Sequence, residues 1–185
     1  MKNYIAAMAL TLIGASSLAN EAGVTDLGAN FNEASMGFAA YKSGTTTYNG
    51  YQAEIGFLLN SNIYALGSYQ SFDTSTINQG SLGLGYKMPI GSSSDGFFTL
   101  KYESDNTTSV NNGYSLGAGV RTVINPDMDF TGSYSFRTMG STHDYTFSVG
   151  LKYKFNSSMF AKIGYATTSG DSSTSMYAIG VGIDF

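Results

Sequence analysis

The sequence predicts an all-β protein, an antiparallel up-and-down transmembrane β-barrel of ten strands. Three observations lead there. Within the last ten residues, Met176 to Phe185, the stretch from Tyr177 onward alternates without a break: Tyr177, Ile179, Val181, Ile183 and Phe185 are large and apolar, while Ala178, Gly180, Gly182 and Asp184 are small or acidic. A period of two is the mark of a strand with one face in an apolar medium. Second, this pattern recurs throughout the chain from Ala34 onward. Third, charged residues make up only 12% of the chain, against roughly 25% in soluble domains. Past residue 20 no apolar run approaches the ~18 residues of a spanning helix. A chain poor in charge and without a helical span suits a barrel, whose strands show half their residues to lipid.

Taken in order, residues 1–19 read as a secretory signal. Lys2 gives the positive start, Tyr4 to Ile13 the apolar core, and Ser17-Leu18-Ala19 a small-x-small cleavage site. Residues 20–33 are polar without sustained alternation, a leader expected either in the periplasm or tucked into the barrel mouth. Residues 34–185 form the barrel. Here tyrosines followed by a spacer and usually a small polar residue (Tyr41, Tyr69, Tyr102, Tyr134, Tyr165) recur at spacings of 28, 33, 32 and 31. Between them lie segments with a tyrosine five residues before a glycine: Tyr51 to Gly56, Tyr114 to Gly119, Tyr145 to Gly150 and Tyr177 to Gly182. A fifth, Gly80 to Gly85, lacks the tyrosine. A period near 30 with two strand-like halves is a repeated β-hairpin. The expected strands are 34–42, 51–59, 63–71, 80–88, 96–104, 113–122, 128–137, 145–155, 159–168 and 176–185.

Connections alternate in kind. Asn60-Ser-Asn62, Ile90 to Asp95, Asn125-Pro-Asp127 and Asn156-Ser-Ser158 are turn-forming and are assigned to the periplasmic side with Phe185. Ser43 to Gly50, Asp105 to Asn112 and their equivalents are expected to be outer loops. All are short.

The parity of Tyr177, carried through the repeat, sorts the two faces. The outward set includes Ile55, Phe57, Leu82, Leu84, Leu116, Val120, Phe147, Leu151 and Ile163. Tyr41, Tyr51, Tyr69, Tyr102, Tyr114, Tyr134, Tyr145, Tyr165 and Tyr177 fall at outer strand ends as an aromatic girdle, ring toward acyl chain and hydroxyl toward headgroups. Phe57, Tyr86, Tyr153 and Phe185 supply the inner girdle. The same parity turns Lys42, Glu54, Lys87, Lys101, Glu103, Arg121, Arg137, Lys152, Lys154, Lys162 and Asp184 toward the lumen. A cation facing lipid at the midplane costs roughly 2–4 kcal/mol, so charge belongs inside.

Inside, Met36, Tyr64, Phe97, Asp129 and Phe160 lie five residues before the repeat tyrosines. Gly56, Gly85, Gly119, Gly150 and Gly182 lie at similar depth on neighbouring strands. Large side chains over glycine backbone form an expected belt, and a ten-stranded lumen is narrow enough to fill. The belt and its charges predict a plugged interior. The alternative is that the glycines only relieve crowding where strands bend.

From Ala34 to Phe185 the chain resembles the small outer-membrane β-barrel proteins of Gram-negative bacteria, the opacity-type proteins and the transmembrane domain of outer-membrane protein A. Many of these have eight strands, which is the alternative count here. In that family a C-terminal strand such as Tyr177, Val181, Ile183 and Phe185 resembles the signal read by the assembly machinery. The resemblance implies a bacterial outer-membrane location after signal-directed export, delivery by periplasmic chaperones and insertion by that machinery. The expected partners are outer-membrane lipid and lipopolysaccharide, and the barrel is expected to be a monomer.

Chemistry is sparse. The chain has no cysteine, which excludes disulfides and thiolate sites, and a net charge of −4, which argues against nucleic acid. No cofactor or metal motif is present. The lone histidine lies in His143-Asp144, two residues after Ser141; a hydrolase built on it is the third functional reading, after a structural or surface-interaction barrel and a small passive pore. Asp73, Asp105, Asp144 and Asp171 come one per loop, as solvated loops do.

Overall fold

The computed structural model describes residues 30–73, 78–105, 111–171 and 173–185; the predicted signal segment and most of the leader lie outside these. Ten strands follow one another: β1 (Glu33–Ser43), β2 (Thr46–Leu58), β3 (Ile63–Phe72), β4 (Asn78–Pro89), β5 (Ser94–Asp105), β6 (Asn111–Asn125), β7 (Met128–Met139), β8 (Thr142–Lys154), β9 (Met159–Gly170) and β10 (Thr174–Asp184). Each pairs antiparallel with its sequence neighbours, and β1 pairs with β10 to close the barrel. Closure leaves no unpaired edge, which is what a sheet needs in lipid. The strands run 10 to 15 residues, enough to cross a bilayer at the usual tilt.

One end of the barrel is made by turns. Asn60 Oδ1 accepts from the backbone N–H groups of Asn62 and Ile63 (2.9 and 2.8 Å), and Asn156 Oδ1 does the same for Ser158 and Met159 (both 2.9 Å). Asn125 Oδ1 accepts from Asp127 N–H at 3.0 Å. These are side-chain-closed turns, the reason asparagine recurs there. At the other end, hereafter the loop end, two hairpins close on glycine-first pairs, Gly44-Thr45 and Gly140-Ser141. Both glycines have φ near +60°, as a type II′ turn requires at its first position.

The outer surface carries a continuous apolar band. Leu82, Leu116, Ile163, Ile179, Tyr114 and Tyr177 are all exposed. Rings pair across strands at the loop end: Tyr102 with Tyr114 at 5.6 Å, Tyr134 with Tyr145 at 6.1 Å, Tyr165 with Tyr177 at 4.9 Å. An exposed apolar band of this extent is a lipid-facing surface.

The first hairpin departs from expectation. Ser43 to Gly50 is not an outer loop: β1 runs to Ser43 and β2 starts at Thr46. Its register puts Met36 opposite Ala53 and Phe38 opposite Tyr51. In the hairpins of β5–β6 and β9–β10, Tyr102 faces Tyr114 and Tyr165 faces Tyr177. Here Tyr51 faces Phe38, three residues short of Tyr41. An odd offset moves every side chain to the opposite face. Met36, 53% exposed, therefore faces lipid and is not part of the belt. Tyr41 is not in the girdle; its ring lies inside against Phe72 (5.3 Å) and Tyr48 (6.2 Å). Lys42 is exposed on the outer face instead of lining the lumen.

Candidate functional site

The candidate site is the lumen, and it is built in layers from the turn end. The lowest layer is apolar. Phe31, just before β1, is buried and packs on Tyr64 (4.7 Å between centroids) and edge-on to Phe97 (6.2 Å). Leu58, Leu66 and Val123 complete this cluster. The segment is tied in place: Asn32 Oδ1 accepts from Leu58 N–H at 2.6 Å and Asn32 O from Phe185 N–H at 3.1 Å. Lys87 Nζ and the Arg121 guanidinium lie 5.2 and 5.3 Å from the Phe31 ring centre, within cation–π range.

Rings over glycines form the wall of the same layer. Tyr64 faces Gly85, Phe97 faces Gly119, and Phe160 faces Gly182 in register. A Cβ on any of these glycines would run into the facing ring. Phe160 has no exposed surface at all. The remaining two pairs differ. Gly56 faces Glu33, and a Cβ added to it would come within 3.0 Å of the Phe31 carbonyl oxygen. Gly150 faces Thr131, because β7 and β8 are offset by two residues; no ring covers it. Asp129 thus lies one step below Gly150, opposite Lys152.

Charge fills the space beside the rings. Arg121 Nη2 donates to Glu33 Oε2. Lys152 Nζ donates to Asp184 Oδ1 at 2.8 Å and to Glu33 Oε2 at 3.0 Å, and lies 4.6 Å from the Phe160 ring centre. Lys162 pairs with Glu54. The Asp129 side chain has no solvent exposure and sits 3.4 to 3.9 Å from Lys154, Lys152 and Arg121. The cluster is near neutral, as burial demands. Strand order gives its meaning. β1 and β6 are five strands apart in either direction around the ring, so Arg121 and Glu33 meet across the full width of the lumen. Lys162 on β9 and Glu54 on β2 span three strands.

Above this layer the lining is small and polar. Ser68 and Ser81, and Ser133 and Ser148, pair their hydroxyls at 2.7 and 2.6 Å, and Gly83 and Gly117 lie between. A second charge group sits nearer the loop end. Arg137 Nη2 donates to Asp144 Oδ2 at 2.7 Å, Ser115 donates to Glu103, and Lys101 pairs with Glu103 at 3.2 Å. A cavity of about 110 Å³ opens there between Gln70, Lys101, Glu103, Asp105 and Arg137.

Phe31 and Glu33, both assigned to the leader by sequence, prove central. Their signal was available: Glu33, Ser35, Gly37 and Ala39 continue a small-or-polar series at period two on the inner face of β1. His143 and Asp144 do not form a dyad. Strand alternation sends Asp144 inward to Arg137, while His143 stacks outside on Phe136 at 6.1 Å. His143 Nδ1 lies 3.8 Å from Asp171 Oδ2, and both side chains are more than half exposed. Among the described residues no group of His, Asp and Glu is placed to hold a metal ion.

No protein-family model matches the chain, and no curated protein does. Solved structures do. The KdgM porin in complex with disordered oligogalacturonate aligns over 83% of this chain and 98% of its own, with 13% identity and a TM-score of 0.52. The NanC porin aligns over 83% and 100%, with 11% identity and a TM-score of 0.51. The class these features define is the transmembrane β-barrel: a closed antiparallel sheet with a lipid-facing band. At such identities the likeness shows the fold.

Proposed function

We propose that this protein is a non-enzymatic outer-membrane barrel with a structural or surface-interaction role and a lumen closed at its turn end. The observation that carries the reading is the Arg121–Glu33 pair, which joins opposite walls of the ring directly above the Phe31 stopper. Breaking such a pair strands a buried charge, at a cost of about 3–5 kcal/mol. The pair is therefore a standing closure. In this reading the chain works as an anchored surface module, inserted by the assembly machinery and monomeric in lipid.

A narrow pore is the second reading. The small Ser and Gly side chains of the middle lumen favour it, as does the likeness to porin folds. Proteoliposome swelling separates the two. Liposomes carrying the purified barrel should swell in a small neutral sugar no faster than empty ones; swelling that scales with protein content would establish the pore. The exposed, outward His143 offers no support for hydrolysis. Ester hydrolysis by pure protein that disappears with His143→Ala would reinstate that reading.

A further inference from the structure

The inverted parity of the first hairpin leaves a gap in the tyrosine girdle. On the outer surface near the loop end, β10 presents Tyr177 and β2 presents Asn49 and Tyr51. Between them β1 presents only Ala40, which faces Tyr177 on one side and Asn49 on the other. A depression of about 500 Å³ lies over Ala40, bounded by Phe38, Tyr51, Tyr177 and Ile179. Phe38 and Tyr51 pack together at 5.2 Å to form its lower lip. Two residues further toward the loop end on the same face stands Lys42, exposed and with no ion pair among the described residues. Every other lysine and arginine of the described residues points into the lumen, so Lys42 is the single cation on the outer wall. Asp73, whose backbone N–H donates to the Asn49 carbonyl at 2.8 Å, also lines the depression.

We propose that this trough is a seat for one phosphorylated lipid of the outer leaflet, with an acyl chain over Ala40 and a phosphate on Lys42. The trough is continuous with the lipid-facing band, so an acyl chain is the solvent already present there. Its aromatic walls, Phe38, Tyr51 and Tyr177, offer three rings to an acyl chain. A lysine at headgroup level attracts an anionic lipid at little cost, because near the interface it is not buried in hydrocarbon. The same register shift creates both halves: Tyr41 turned inward leaves the gap, and Lys42 turned outward supplies the charge. Nothing in this requires the lumen to be closed.

Native mass spectrometry of the detergent-solubilised barrel tests it, with lipid A bearing its phosphates as the probe and the same lipid stripped of phosphate as its control. One phosphorylated lipid should be retained per barrel. Lys42→Gln should weaken retention about fivefold, the effect of one surface lysine on an anionic lipid. Ala40→Phe, which fills the trough, should weaken it at least about tenfold. Ala118→Phe, an outward position on the opposite wall, should leave it unchanged. Heat-modifiable migration shows that each variant is folded. Equal retention of both lipids would overturn the proposal. So would a loss in only one of the Lys42 and Ala40 variants, since the seat needs both.

Discussion

Phe160 and Asp129 are two of the most completely buried side chains of the barrel, and they are held by opposite means. Phe160 is accommodated by what its neighbour lacks. Gly182 leaves a space that the ring occupies, with the Ala34 carbonyl oxygen behind it. Gly182→Val should therefore cost about 1–3 kcal/mol through overpacking, seen as a lower temperature for loss of the compact gel form. Gly150→Ala, whose new methyl group would meet only the Ile163 carbonyl oxygen at 3.5 Å, should change that temperature hardly at all. If the two variants melt alike, the ring-over-glycine account of the belt is wrong. Asp129 is held by charge. Its carboxylate accepts no hydrogen bond among the described residues and rests on three cations. Asp129→Asn keeps the shape and removes the charge, leaving Arg121, Lys152 and Lys154 crowded. Unfolding in urea from micelles should show a loss of about 3–5 kcal/mol; an unchanged midpoint would mean that the pairing contributes nothing.

At the scale of the element, β1 decides which features are inside. Because the chain contains no cysteine, single-site labelling reads its parity directly. Tyr41→Cys should react with a small charged thiol reagent entering from the loop end, whereas Ala40→Cys should be protected by lipid and react with a membrane-soluble one. The reverse pattern would restore the register expected from the repeat. The same strand shows what was legible in the sequence. Strand number, antiparallel order and the lipid face of β2 to β10 followed from period-two alternation, which physics enforces wherever one face meets hydrocarbon. Tyr64, Phe97 and Phe160 were readable as ring partners of glycine because their hairpins keep one register. Met36, Tyr41 and Lys42 were misread because the turn at Gly44-Thr45 sets Tyr41 opposite Tyr48 and not opposite Tyr51, and an odd slip inverts a strand. Spacing between repeats records chain length, not where a turn is placed. For Glu33 and Phe31 the inner face was legible in the period-two series that runs through Ser35, Gly37 and Ala39, but their pairing was not. Their partners, Arg121 and Lys87, are distant in sequence, and no local pattern marks which residue crosses the lumen.

Across the whole molecule, ten strands enclose an interior that is graded from one end to the other. Rings and a neutralised charge cluster fill the turn end, hydroxyls and glycines line the middle, and a second ionic group stands at the loop end. Wide barrels keep such interiors open; a ring of ten is narrow enough for one side-chain pair to bridge it. The proposed closure rests on that bridge, Arg121 to Glu33 above Phe31. Single-channel recording in planar bilayers tests it most directly. Wild-type protein should insert without steady conductance, and the double variant Phe31→Ala with Glu33→Ala should produce discrete, long-lived channels at the same protein load. Steady wild-type channels of the same size as those of the double variant would contradict the closed lumen.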